Sequence, residues 1–192
     1  MKQTILSIIV ILLTFNLASS QDTIHLIKND TIQLKKLQHH KIYTDRLPQL
    51  VYAELGGPGL LSANYDTRLN KTVDGVGLRV GLGYNFNNSF KLTTIPFGFN
   101  YLFGHSNKAK YLELGINETI LIAGSVDPNN YTSYSLAGKN VDPGKTYNFT
   151  SFLVGYRSQP NEGGFNFRAG LMPFFFEGES SISIYLSFGF NF

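Results

Sequence analysis

The sequence predicts an all-β fold: a closed antiparallel up-and-down transmembrane β-barrel of about eight strands, after a cleaved signal peptide. Three observations predict it. Apolar residues alternate with polar residues or glycine over long stretches, which is the period of a strand. The composition is rich in Phe (16), Tyr (11) and Gly (19), yet Trp is absent and only 15% of residues are charged. The chain also ends on an alternating, aromatic strand.

The first twenty residues have the pattern of a secretory signal peptide. A basic start at Met1-Lys2 precedes an apolar run from Ile5 to Leu13 and the small residues 18–20. The run is about ten residues long, about half of what a helix needs to span a bilayer. We therefore expect residues 1–20 to be removed on export, residues 21–49 to form a polar periplasmic extension and residues 50–192 to form the barrel.

The clearest strand runs from Gly75 to Phe86. One face carries apolar residues from Val76 to Phe86, and the other carries mostly glycine together with Arg79. A row of glycines facing water would weaken a strand for no gain. The apolar face is therefore predicted to meet lipid, and the glycines to leave room in a narrow lumen that a few large polar side chains fill.

The C-terminal segment repeats this arrangement. Residues 182–192 alternate apolar and polar or small side chains, and the last apolar positions are Phe188, Phe190 and Phe192. This pattern is similar to the C-terminal strand that the outer-membrane assembly machinery recognises in barrel proteins. We expect these three aromatic residues to be the assembly signal.

Four further strands are predicted at 91–103, 111–123, 147–157 and 165–176. Glu118 falls on the outward face, so either it lies at a rim of the barrel or a bulge re-aims it. Pro96 and Pro173 each predict a bulge or a missing ladder bond, because proline has no N–H to donate.

Residues 50–69 are too long for one strand crossing a membrane at about 3.3 Å per residue. If Gly56-Gly57-Pro58-Gly59 is a hairpin turn, Val51–Leu55 and Leu60–Leu69 are two strands and the barrel has eight. If the segment is only a kink, the count is seven.

Strand direction follows from placing the C-terminus in the periplasm. The connections near 70–74, 104–110 and 158–164 then become periplasmic, and those near 56–59, 87–90, 124–146 and 177–180 become external. The long connection 124–146 would lie outside the cell, where its aromatic and polar side chains make it a candidate contact site for an extracellular ligand.

Alternation assigns seven charged side chains to the inner face. They are Glu54, Asp66, Arg68, Arg79, Glu113, Arg157 and Arg168. Eight strands leave a lumen barely wide enough for side chains, and a buried charge without a partner is unfavourable. We expect these groups to pair and to plug the barrel; a narrow polar conduit or a ligand pocket is the alternative.

With these strands in place, the chain resembles small eight-stranded outer-membrane barrels of the OmpA and OmpX kind, and more closely the outer-membrane β-barrel proteins common in Bacteroidota. The resemblance implies outer-membrane lipid as the surroundings and brings no catalytic residues. The segments that carry it are Glu54–Gly57, Gly59–Leu61, Gly75–Phe86, Thr94–Pro96, Tyr111–Gly115, Gly155–Arg157 and Gly163–Gly170.

The expected function is therefore a non-enzymatic structural or surface-interaction role. No cofactor, metal or nucleic-acid partner is predicted, and the absence of cysteine excludes disulfides, thiol catalysis and lipoprotein acylation. One alternative is a lipid-modifying enzyme, but His25, His39, His40 and His105 are all predicted away from the external rim. The other is a soluble ligand-binding barrel, which would need an apolar lumen.

Overall fold

The structure is a computed structural model that describes residue 44 and residues 46–87, 90–105, 109–125 and 134–192. The side chains of 86, 87, 105 and 125 are not described. The predicted signal peptide and most of the predicted extension lie outside the described residues.

Ten strands are present in these ranges. They are β1 Gln49–Gly57, β2 Leu60–Arg68, β3 Gly75–Asn87, β4 Phe90–His105, β5 Lys110–Ser125, β6 Tyr134–Leu136, β7 Lys139–Val141, β8 Thr146–Ser158, β9 Gly164–Phe176 and β10 Glu179–Asn191. Within the same ranges, no helix has the length and apolar character of a membrane-spanning helix.

Eight of the strands close into one antiparallel barrel in the order β1-β10-β9-β8-β5-β4-β3-β2. Each barrel strand pairs with its neighbour along the chain, and β1 pairs with β10 to close the ring. Closure removes every free sheet edge, so all backbone hydrogen bonds of the wall can be made within it. The predicted fold class is confirmed.

The segment between β1 and β2 is a hairpin turn, which confirms the eight-strand alternative. Gly57 pairs with Leu60 across Pro58 and Gly59, after a register shift between Leu55 and Gly57. Gly56 has a φ of +75°, in the left-handed region, and a Cβ there would collide with the backbone oxygen of Ile184. The break is therefore a turn with a bulge beside it, and glycine is required at the bulge.

Neither proline produces a bulge. Pro96 keeps its register with Thr119 of β5, whereas pairing with β3 lapses between Val80 and Gly83 and then resumes unshifted. Pro173 shows the same arrangement. It pairs with Ile182 of β10, while the pairing of β9 with β8 is interrupted around it. The missing-bond alternative is correct, because the absent N–H interrupts the ladder on one side only.

The bulge suggested for Glu118 is also absent. Glu118 pairs with Phe97 and Thr150 in unbroken registers, so it stays on the outer face, where it is half-buried. The hydroxyl of Thr150 donates a hydrogen bond of 2.7 Å to its carboxylate.

Both barrel termini, Gln49 and Asn191, lie at the same end of the barrel, which we call the terminal end. The opposite end, the lid end, carries the β1–β2, β3–β4 and β9–β10 connections and the long β5–β8 connection. That long connection contains the short hairpin β6–β7, which we call the lid hairpin. Its strands were not predicted, because three residues are too few to show a period.

Candidate functional site

The interior of the barrel holds all seven charged side chains assigned to the inner face. Each is at most 2% exposed. Alternation along β1, β2, β3, β5, β8 and β9 points them inward, and the described residues hold no other buried charged side chain. The four arginines and three carboxylates leave one excess positive charge.

These side chains form a linear, alternating sequence of ion pairs, which we call the ion-pair series: Arg68–Asp66–Arg157–Glu113–Arg168–Glu54–Arg79. Every carboxylate contacts two arginines, and the series has an arginine at each end. After the Arg68–Asp66 contact, the successive N···O distances are 3.2, 3.7, 2.7, 3.6 and 2.8 Å.

The strongest link joins Arg168 and Glu113. The Nε and Nη2 atoms of Arg168 donate to the two carboxylate oxygens at 2.8 and 2.7 Å, which is the bidentate geometry that favours arginine over lysine. The guanidinium also lies 4.4 Å from the centre of the Tyr52 ring, in a cation–π contact. A buried charge is tolerated here because several partners replace its water.

Neutral groups complete the two ends of the series. Arg68 donates to the backbone oxygen of Gly75 at 3.0 Å and to the side-chain oxygen of Asn100. Arg79 donates to the side-chain oxygen of Asn64 at 3.0 Å. Each end arginine therefore has one carboxylate partner among the described residues.

Glycines in the wall make room for these side chains. A Cβ at Gly77 would collide with the guanidinium of Arg68, and one at Gly81 would collide with the amide of Asn64. The alternation of glycine along β3, visible in the sequence, has this steric reason.

The lid end of the lumen is apolar, which the sequence analysis did not predict. A buried cluster there includes Phe90, Leu121, Phe149, Phe174 and Phe176. The charged side chains assigned to the lumen therefore fill only part of it, and apolar side chains fill this end. In the segments around Leu121 and Phe174, the sequence is apolar on both faces, so alternation does not distinguish the inner face there.

The lid hairpin closes this apolar layer. Leu136 and Val141 are buried in the cluster, and the ring of Tyr134 stacks on Phe90 at 5.7 Å between centroids. Lys145, which follows the hairpin, is exposed, and its 2.7 Å hydrogen bond to Asp142 raises the pKa of the lysine. At the terminal end, Val73 caps the lumen by packing into a second cluster with Leu102 and Tyr111.

The outer face of the barrel is apolar on every strand. Ile184 is 72% exposed, Ile182 69%, and Leu55, Leu82 and Phe165 61% each. The three residues of the predicted assembly signal belong to this face: Phe188 and Phe190 are exposed on β10, and Phe192 follows the strand while bonding Gln49 through its backbone. Aromatic rings concentrate near them, with Phe165 and Phe167 both packed against Phe188.

The described residues contain no cluster of three or more His, Asp or Glu side chains that could hold a metal ion. His25, His39 and His40 lie outside the described residues, as does the side chain of His105. Every charged side chain of the ion-pair series contacts at least one side chain of opposite charge and is shielded from solvent.

No protein-family model matches the chain. No curated protein matches it either. Among solved structures, it is similar to the N-terminal β-barrel domain of Pseudomonas aeruginosa OprF, with a TM-score of 0.50 and 16% identity over 76% of this chain and 96% of that one.

Two other solved structures are less similar. Neisserial surface protein A has a TM-score of 0.43 and 17% identity over 76% of this chain and 92% of its own. Ail of Yersinia pestis has a TM-score of 0.38 and 14% identity over 76% and 97%. The OprF comparison alone carries the conclusion: the chain has the fold of that small eight-stranded barrel domain.

Proposed function

We propose that the chain is an integral outer-membrane β-barrel with a non-enzymatic structural or surface-interaction role. The observation that carries the proposal is its inside-out distribution of polarity. Charged side chains are buried in the lumen, while large apolar side chains are exposed around the whole wall. Leaving one such side chain in water rather than burying it is unfavourable by about 1.5–3 kcal/mol, so the wall requires an apolar surrounding, which lipid supplies.

The closed ends and the ion-pair series support a plugged lumen rather than a conduit. Charges cross the lumen in contact with one another, and apolar clusters lie beyond them at both ends. In this proposal the terminal end faces the periplasm and the lid end faces the outside. The connection that contains the lid hairpin is then the surface available to an extracellular ligand.

The membrane location is tested by fractionating cells that express the full chain. We expect the protein in the outer-membrane fraction, resistant to extraction with alkaline carbonate, and migrating faster on a semi-native gel when unheated than when boiled. A soluble periplasmic protein without this shift would overturn the proposal.

Orientation is tested separately, because the chain lacks cysteine and any introduced cysteine is unique. Asn140→Cys places the thiol on the exposed part of the lid hairpin, and Glu162→Cys places it in an exposed turn at the terminal end. A membrane-impermeant maleimide should label the first variant on intact cells and the second only after lysis. The reverse pattern would overturn the orientation while leaving the barrel intact.

A further inference from the structure

We propose that the barrel interior binds one small monovalent anion, such as chloride, against Asn117, Thr119 and Ser151. This goes beyond the proposed role in the membrane. Asn117 and Thr119 are successive inward positions of β5, and Ser151 of β8 lies opposite Asn117. All three side chains are 0–1% exposed.

The first observation is that these side chains have no hydrogen-bond partner. Among the described residues, none bonds the amide group of Asn117 or the hydroxyls of Thr119 and Ser151. Together they present two amide hydrogens and two hydroxyl hydrogens, beside the amide oxygen of Asn117 and the two hydroxyl oxygens. Buried polar groups in folded proteins are almost always satisfied, so such a concentration of unpartnered groups indicates a bound ligand.

The second observation is the excess positive charge of the interior. Four buried arginines face three buried carboxylates, and Arg79 ends the ion-pair series with one carboxylate partner. Arg79 of β3 is paired directly with Gly98 of β4, which is paired with Asn117 of β5. Asn117 in turn is paired with Ser151 of β8, so Gly98 is the one residue between Arg79 and Asn117 across the wall. Glycine contributes no side chain, and the side-chain oxygen of Asn117 lies 2.7 Å from where a Cβ of Gly98 would stand, so no side chain of β4 separates Arg79 from Asn117 at this position.

The two observations point to the same ligand chemistry. Unpartnered amide and hydroxyl hydrogens, in a water-poor interior that carries one excess positive charge, stabilise an anion more than a neutral molecule or a cation. The narrow lumen of eight strands restricts it to a small ion. Because both ends are capped, we expect the anion to enter as the barrel folds, so it should be supplied during refolding.

The experiment is to refold the full chain from urea into detergent micelles in sodium bromide or in sodium gluconate at equal concentration. The temperature at which the fast-migrating band is lost should be higher after refolding in bromide, because an ion bound only to the folded state stabilises it. The nearly isosteric variant Thr119→Val/Ser151→Ala should lose this difference. Ser187→Ala is the matched control, because it removes another buried, unpartnered hydroxyl and should retain the difference.

Crystals of the bromide-refolded protein give the direct readout. Bromine anomalous signal within hydrogen-bond distance of the Asn117 amide and the Ser151 hydroxyl supports the site. Density without anomalous signal there, which would be water, overturns it, and so do direct bonds among the three side chains. Equal midpoints in the two salts overturn it as well. If the double variant does not refold, Ser151→Ala alone replaces it in the same comparison.

Discussion

Arg79 and Glu54 face each other inside the barrel from β3 and β1, with Nη2 2.8 Å from Oε1. Both side chains are fully buried, and among the described residues Arg79 has no other carboxylate partner. Glu54 has a second arginine, Arg168, at 3.6 Å. The two members of the pair are therefore unequal: losing the carboxylate isolates a charge, and losing the arginine does not.

Glu54→Gln should destabilise the barrel severely. The variant keeps the shape of the side chain and one accepting oxygen, but it removes the one carboxylate partner of Arg79 among the described residues and leaves its charge with neutral contacts, including the Asn64 amide and the Tyr52 ring. Breaking a buried pair by removing one partner costs about 3–5 kcal/mol. The measurement is the urea midpoint of unfolding in detergent micelles, monitored as the loss of the fast-migrating band on a semi-native gel.

The double variant Glu54→Gln/Arg79→Met provides the control. Because the isolated charge is then gone, we expect it to recover most of the lost stability. A double variant that is as unstable as Glu54→Gln would show that shape at position 54, rather than charge, sets the effect.

At the other end of the series, Asp66→Asn should destabilise more than Arg68→Met. Asp66 keeps Arg157 at 3.2 Å when Arg68 is removed, whereas Arg68 keeps no carboxylate partner when Asp66 is neutralised. The two urea midpoints, measured side by side, check the order. Equal losses would contradict the alternating arrangement as the source of stability.

Gly155→Ala should disrupt packing inside the wall. A Cβ there would collide with the hydroxyl of Tyr185 and with the backbone oxygen of Ala169. The Tyr185 side chain is fully buried, so it has little room to move away. Overpacking of this kind costs about 1–3 kcal/mol. Gly124→Ala is the matched control, because its Cβ would meet only ordinary contacts from 3.5 Å. Equal thermal midpoints for the two variants would count against the steric role of glycine.

Leu136→Ala should loosen the lid hairpin without opening the barrel. Leu136 is 7% exposed and packs into the apolar layer at the lid end. Its truncation leaves a cavity, which lowers the stability of the packed hairpin by about 2–5 kcal/mol. The three paired positions of the lid hairpin cannot offset a destabilisation of this size. The strands of the wall pair with one another without the hairpin and should stay folded. Limited proteolysis should cut residues 134–145 faster in the variant than in the parent protein. The unheated variant should still migrate faster on a semi-native gel than the boiled one. Asn140→Ala, an exposed change in the same hairpin, should leave the cleavage rate unchanged.

The wall of the barrel and the contents of its charged interior were predictable from the sequence. Alternation is a local property, because successive side chains of a strand point to opposite faces whatever the strand later pairs with. Arg79 between Leu78 and Val80, and Glu113 between two leucines, could therefore be assigned inward before any partner was known. At Leu121 and Phe174 both faces of the strand are apolar, so the sequence pattern did not show that this end of the lumen is filled by apolar side chains.

Only the tertiary structure decided which charges meet. Arg157 and Asp66 are 91 residues apart and belong to strands that are not neighbours in the wall. Their contact depends on the registers of all the strands between them and on closure of the ring by β1 and β10, which no local pattern encodes. The sequence by itself determined which side chains enter the lumen, because that choice is local; the order of the ion-pair series and the apolar layer under the lid hairpin arise from long-range register.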